Sequence, residues 1–201
     1  MEPSEGVIKT LMSAFEIGVW NAWIPMLVSL IPVFFIPLIT KSREKGVNFT
    51  AAFDKKQKNA HVCLHVIYLL LAIYSIFLPL KLGTLWFYVG LPVCLVGLIM
   101  YMIGFVNIAM TPPDKVVTTG TYRYTRHPMY LTSFLVFIGV GIASASWIFL
   151  LLSVVYMIMP PLFVDAEERF CLEHYGNAYC DYMNRTPRWI GIPKSGSNKQ
   201  P

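Results

Sequence analysis

Apolar residues in this chain gather into long runs instead of alternating with polar ones. About 20 helical residues cross the hydrocarbon core of a bilayer, so runs of that length predict membrane helices. The first extends from Ile17 to Ile39, and Pro25, Pro32 and Pro37 predict kinks that a membrane helix tolerates better than an exposed one. The second extends from Val62 to Leu80. The third, from Thr84 to Ile108, holds no charged residue. The stretch from Pro128 to Val164 is also uncharged but too long for one crossing. Ala143-Ser144-Ala145-Ser146 near its middle predicts a tight hairpin of two short spans. The pattern predicts an all-α polytopic membrane protein with five transmembrane helices.

After Val164 the period becomes that of an amphipathic helix, from Asp165 to His174. Gly176 reads as its stop and Asn177 as the cap of a short following helix. Tyr175, Tyr179 and Tyr182 then share one face. Pro187-Arg188-Trp189 reads as extended chain on the membrane surface, with Trp189 as an interface anchor.

The loops test the span count independently. Lys41, Arg43, Lys45, Lys55, Lys56 and Lys58 follow the first span, and Lys115, Arg123 and Arg126 follow the third. The tail carries Arg169, Arg185, Arg188, Lys194 and Lys199, while the opposite side receives only Lys9 and Lys81. Five spans gather nearly every basic residue on one face, which the positive-inside rule makes cytosolic, with the N-terminus outside and the C-terminus inside.

Composition agrees with a single membrane domain. The chain is 56% hydrophobic and 13% charged, roughly half the charged share of an ordinary soluble domain. Its formal charge of +5 raises nucleic-acid binding, but the basic residues are interrupted by apolar runs and form no continuous patch. The opening residues, MEPSEG, lack the basic start of a cleavable signal peptide. Cys63, Cys94, Cys171 and Cys180 show neither a CxxC pair nor a histidine at zinc-ligand spacing, so no metal is expected.

The chemistry concentrates where a cytosolic loop meets the fourth span, in Gly120-Thr121-Tyr122-Arg123-Tyr124-Thr125-Arg126-His127-Pro128-Met129-Tyr130. Pro128 suits the first position of a helix, which makes His127 the N-cap. Free backbone N–H groups and the helix dipole then converge there with Arg126 and favour an anion. The plainer reading is a loop whose Arg and Tyr residues sit among lipid headgroups. Glu167-Glu168, just past the fifth span, is costly near hydrocarbon unless paired or wet, and so is a functional candidate. The alternative is support of a helix start by acidic residues. Asn107, near the end of the third span, reads as a ligand contact or as a hydrogen bond between helices.

Val116-Val117-Thr118-Thr119-Gly120-Thr121-Tyr122, followed by Arg126-His127-Pro128-Met129-Tyr130, resembles the isoprenylcysteine carboxyl methyltransferase family. So do Glu167-Glu168, Tyr175-Gly176, Tyr179, Tyr182 and Arg188, in order and distance. The resemblance covers roughly 107–193. It places the methyltransferase core at 84–193 and leaves two spans without a motif in 1–83. It implies S-adenosylmethionine at the cytosolic membrane edge. The cofactor contacts that it implies fall on Asn107, Lys115, Val116, Val117, Tyr122, His127, Pro128, Met129, Tyr130, Glu167 and Glu168. No residue is implied as a catalytic acid, base or nucleophile.

Two positions depart from that pattern. Asp114 replaces a histidine that usually precedes the Lys115 position. Phe163 replaces an arginine that the resemblance assigns to the substrate carboxylate. The expected acceptor is lipophilic or membrane-delivered: a prenylcysteine carboxylate, or a thiol or amine. A reductase resembling the sterol reductases would require more phosphate-binding Arg and Lys than Lys115, Arg123 and Arg126 supply. A non-enzymatic transport protein would require polar residues along a path through the spans, and these are nearly free of them.

Overall fold

The computed structural model describes residues 20–39 and 52–191, apart from the side chains of 32–39. Seven α-helices follow one another among these residues: α1 (Trp23–Ile39), α2 (Lys55–Ile76), α3 (Leu85–Met110), α4 (Pro128–Ala143), α5 (Trp147–Ile158), α6 (Val164–Tyr175) and α7 (Asn177–Arg185). Two 3-10 turns, Gly120–Arg123 and Pro160–Leu162, precede α4 and α6. No named strand occurs among the described residues. Ile17, Lys9, Lys41, Arg43, Lys45, Lys194 and Lys199, which entered the span and charge arguments, lie outside the described residues.

Side chains set the helix starts. Asp54 and Gln57 form a reciprocal cap, in which the Gln57 N–H donates to Asp54 at 2.7 Å and the Asp54 N–H to Gln57 at 2.9 Å. This starts α2 seven residues before the apolar run itself begins at Val62. Thr84 caps α3, and Ser146 caps α5 by accepting from the Phe149 N–H at 3.3 Å. The expected hairpin turn lies between α4 and α5, with Ala145 at a positive φ of 51°.

α3 and α4 pack backbone against backbone. Gly90, Gly97 and Gly104 recur every seven residues and keep one face of α3 bare. A Cβ on Gly90 would strike the backbone of Gly139 and Ala143, and one on Gly97 would lie 2.7 Å from the Val136 nitrogen. From the other side, a Cβ on Gly139 would strike the backbone of Cys94. Lipid offers little drive to press helices together, so small residues that admit close approach take its place. The row ends at Gly104, whose Cβ would meet Thr121 Oγ1 at 2.8 Å and Met129 Sδ at 3.2 Å. The contact between helices thus leads directly into the loop before α4. Leu71, Phe137, Phe149 and Phe163, each fully buried, form the core shared by α2, α4 and α5.

Among the described residues, two or three helices meet the length and apolarity of a full crossing, against the five expected. α2 and α3, of 22 and 26 residues, are long and apolar enough to cross a bilayer. α5 and α6 pass only as one pair bent by 43°, which makes two crossings or three. α1, α4 and α5 have 17, 16 and 12 residues. At about 1.5 Å per residue, α4 reaches roughly 24 Å and α5 roughly 18 Å, short of a core about 30 Å thick. The uncharged run from Pro128 to Val164 is divided by the turn at 144–146 and again at Pro160-Pro161. Five full crossings are therefore not what the described helices show.

Candidate functional site

Three segments converge beside the start of α4: the loop 116–127, the first turn of α4, and the faces of α6 and α7. They enclose a cavity of about 280 Å³. Val116, Val117, Tyr122, His127, Met129, Tyr130 and Glu167, all expected from the sequence, line it. Tyr179 and Tyr182 on α7 line it too, and so does Tyr175, which ends α6 and so shares the cavity with them but not one helix face. Arg126, Phe170 and Cys171 also line the cavity. Phe170 and Cys171 were missed, although α6 periodicity places them one turn after Glu167.

Four expected residues stand elsewhere. Lys115 is exposed and Pro128 is buried as the first residue of α4, and neither lines the cavity. Asn107 braces the loop: its amide donates to the Ile103 carbonyl at 2.7 Å, and its oxygen accepts from the Thr119 hydroxyl at 3.0 Å. Gly120 lies against that amide with φ of 58°, a conformation that only glycine adopts easily. A Cβ there would collide with Asn107 Nδ2. Gly120→Ala is therefore expected to lower stability by about 1–3 kcal/mol and to loosen the Val116–Tyr122 wall. Thermal unfolding in detergent checks this; an unchanged midpoint would contradict it.

Glu168, the fourth, lies behind the cavity wall and is 3% exposed. Its carboxylate accepts from His127 Nε2 at 3.0 Å, from Arg188 Nη2 at 2.6 Å and from Arg188 Nε at 3.2 Å. Arg126 Nε is also 3.2 Å away but is not aimed to donate. Burial alone would push the Glu168 carboxyl up, but the bonds from His127 and Arg188 and the charge of Arg126 outweigh it and hold it at about 2. The other ring nitrogen of His127 faces Glu167 Oε2 at 3.5 Å. A neutral imidazole has only one N–H to offer two carboxylates, so this placement favours the imidazolium. Burial opposes that charge, yet the bonds to Glu167 and Glu168 prevail and raise the His127 pKa. Its stabilising contribution is full below about pH 6.5 and fades as pH rises through the raised value. Glu167 Oε1 accepts from the Tyr130 hydroxyl at 2.6 Å.

The two acidic residues thus divide their work, Glu167 toward the cavity and Glu168 toward the scaffold. Burial raises the Tyr122, Tyr179 and Tyr182 hydroxyls and brings the Cys171 thiol to about 11, so all four are neutral near pH 7. His127 is the N-cap of α4 as expected, and its side chain makes no capping bond. Asn177 is instead the first residue of α7, whose N-cap is Gly176 at φ 56°. Trp189, half-buried, packs one side on His127 with ring centroids 5.8 Å apart. Phe163 is fully buried against Phe53, His61 and Tyr130. Among the described residues, no three His, Cys, Asp or Glu side chains gather as a metal site.

The sequence model of a family described as "Phospholipid methyltransferase" matches residues 78–178, just over half of the chain. The chain belongs to the phospholipid methyltransferase family. That places it among the membrane methyltransferases, the broad group to which the motif resemblance also points. The matched stretch carries every cavity-lining residue except Tyr179 and Tyr182. Two curated relatives are similar over a shorter stretch. The nickel-cobalt-cadmium resistance protein NccN of Alcaligenes xylosoxydans xylosoxydans is 29% identical over 77 residues, 38% of this chain and 36% of that protein. The cobalt-zinc-cadmium resistance protein CzcN of Cupriavidus metallidurans is 29% identical over 78 residues, with the same coverage. The chain thus spans about a third of the length of these relatives. No solved structure matches.

Proposed function

We propose that this member of the phospholipid methyltransferase family uses S-adenosylmethionine to methylate a lipophilic acceptor, and that the cofactor lies in the cavity beside α4. One observation carries the reading. In a chain of a methyltransferase family, a carboxylate, an arginine and an uncapped helix start face one pocket walled by tyrosines.

The residues fit such a cofactor chemically. Glu167 matches an ammonium group, while Arg126 and the free N–H groups at the start of α4 match a carboxylate. The tyrosine rings suit both a sulfonium cation and an adenine face. At about 280 Å³ the cavity is near the lower end for small-molecule sites, which favours a compactly folded ligand. The cofactor supplies a methyl group already activated by its sulfonium. The protein is left to align the acceptor, with no nucleophile or metal needed. A thiol or amine acceptor also sheds a proton, which passes to water at the cavity mouth or to a basic side chain, whereas an ionised carboxylate sheds none. Met129, Tyr130 and Phe170 provide the apolar enclosure, and the bond between Tyr130 and Glu167 fixes the carboxylate.

Phe163 bears on the acceptor. With a buried aromatic ring at the place of the arginine, a carboxylate acceptor has no cation to meet there, which favours a lipophilic thiol or amine. Lys55, Lys56, Lys58, Lys115, Arg123, Arg126, Arg169, Arg185 and Arg188 belong to the end of the helices that holds the site, and Lys81 to the other. The positive-inside rule then turns the site toward the cytosol.

The test is calorimetric binding to purified protein, followed by methyl transfer in membranes. S-adenosylmethionine and S-adenosylhomocysteine should bind and NADPH should not. A screen of prenylcysteine, thiol and amine acceptors should favour the latter two. Binding of NADPH alone would overturn the reading.

A further inference from the structure

The family match ends at residue 178, yet the chain beyond it folds back under the site. The Arg126 N–H donates to the Pro187 carbonyl at 3.0 Å, and the Thr125 hydroxyl to the Arg188 carbonyl at 2.9 Å. The strap 186–189 is thereby fastened to the loop that leads into α4. From it Arg188 reaches α6 twice, at Asp165 (2.7 Å) and at Glu168 (2.6 Å).

The contacts form one line of alternating charge: Arg188, Glu168, His127, Glu167. Only the last of these carboxylates faces the cavity. We infer that Arg188 is a positioning residue which, through Glu168, fixes the His127 ring that braces Glu167 against the cavity. The inference rests on the reading of that cavity as the cofactor site.

Three cations approach Glu168, but they are not equivalent. Arg126 contributes charge without an aligned bond, and His127 must also serve Glu167. Arg188 alone gives Glu168 two directed bonds, one to each oxygen. The other ionisable groups around Glu168 are Cys171 on α6 and Tyr179 and Tyr182 on α7, all neutral near pH 7, while Asp165 shares Arg188. Without Arg188, burial is opposed by fewer cations, so Glu168 takes up a proton at higher pH. A protonated Glu168 no longer holds the imidazolium, and the brace on Glu167 slackens.

The sign of the pH effect follows. A carboxyl held at about 2 keeps its stabilising contribution throughout the neutral range and loses it only as pH falls through that value. Raising that value shrinks the contribution across the neutral range and moves the protonation that releases the brace toward neutrality. The experiment compares wild type, Arg188→Ala, Arg188→Lys and Trp189→Leu between about pH 5 and pH 8. Two quantities are read: S-adenosylhomocysteine affinity by calorimetry, and thermal unfolding of the unliganded protein.

Arg188→Ala should bind within about threefold of wild type at the alkaline end and at least tenfold more weakly at the acid end. Its melting deficit should run the opposite way, largest at the alkaline end where the buried carboxylate stays ionised without its arginine, and smaller at the acid end where a proton relieves it. Arg188→Lys should recover most of both, and it carries the test if the alanine variant does not fold. Trp189→Leu removes a ring from His127 but no charge, and should act equally at all pH. A uniform loss in Arg188→Ala, or none, would overturn the inference. Failure of wild type to bind at any pH would instead overturn the cofactor reading, leaving the melting curves to judge the clamp alone.

Discussion

Glu167→Ala is expected to reduce S-adenosylmethionine binding at least a hundredfold, about 3 kcal/mol, while the protein stays folded. Two losses act together. An ammonium group in the cavity loses the one carboxylate that lines it among the described residues, and the Tyr130 hydroxyl loses the oxygen that it contacts at 2.6 Å. The fold should survive because His127 keeps Glu168 at 3.0 Å and the strap stays fastened through Arg188. Glu167→Gln retains an acceptor for Tyr130 but drops the charge, so it should fall between wild type and alanine. Calorimetry reads the affinity and thermal unfolding reads the fold. Wild-type affinity in Glu167→Ala would remove the cofactor from this cavity.

Gly139→Leu should be the most damaging substitution for the fold. Its Cβ would enter the backbone of Cys94, including the nitrogen and Cα of an intact helix. A crowded side chain relieves strain by changing rotamer, but a helical backbone has no such freedom, so the helices must separate. Overpacking alone costs about 1–3 kcal/mol; separating α3 from α4 should exceed that range. The expected result is a melting midpoint lowered by roughly 10 °C or more, or loss of a single peak in size-exclusion chromatography. Cofactor affinity should fall as well, because α4 carries Met129 and Tyr130 into the cavity. A variant with unchanged melting would show that α3 and α4 do not pack on these glycines.

Features with strong local chemistry were legible in the sequence. Thr84, His127-Pro128 and the Ser146 turn each combine a capping or helix-starting residue with a change in apolar pattern, and helices begin there. The clustering of the site was legible because its residues lie in two short segments, 116–130 and 167–182. Helix length was less so. Hydropathy cannot distinguish one long apolar helix from two pieces divided at Pro160-Pro161, since proline also occurs inside membrane helices. The early start of α2 carried a signal, the pair Asp54 and Gln57, but the polar residues behind it hid it. Trp189 shows a deeper limit. A tryptophan beside Pro187 and Arg188 has the composition of an interface anchor, and nothing in that composition foretells the histidine ring that it also packs on. Asn107 likewise offers the same amide to a ligand or to a loop, and its bond to Thr119 and the close approach of Gly120 carry no separate mark in the sequence.

The reach of Arg188 back to α6 bears on how this protein is to be trimmed for study. A fragment excised at the boundaries of the family match would keep the pocket walls from α6 yet leave Glu168 buried without its principal counter-charge. It would also lose Phe53 and His61, which cover Phe163 from the other side. The smallest self-sufficient unit therefore extends at least from Phe53 to Trp189, and shorter versions should misfold, from an unpaired buried carboxylate at one end and an uncovered ring at the other, before any question of chemistry arises.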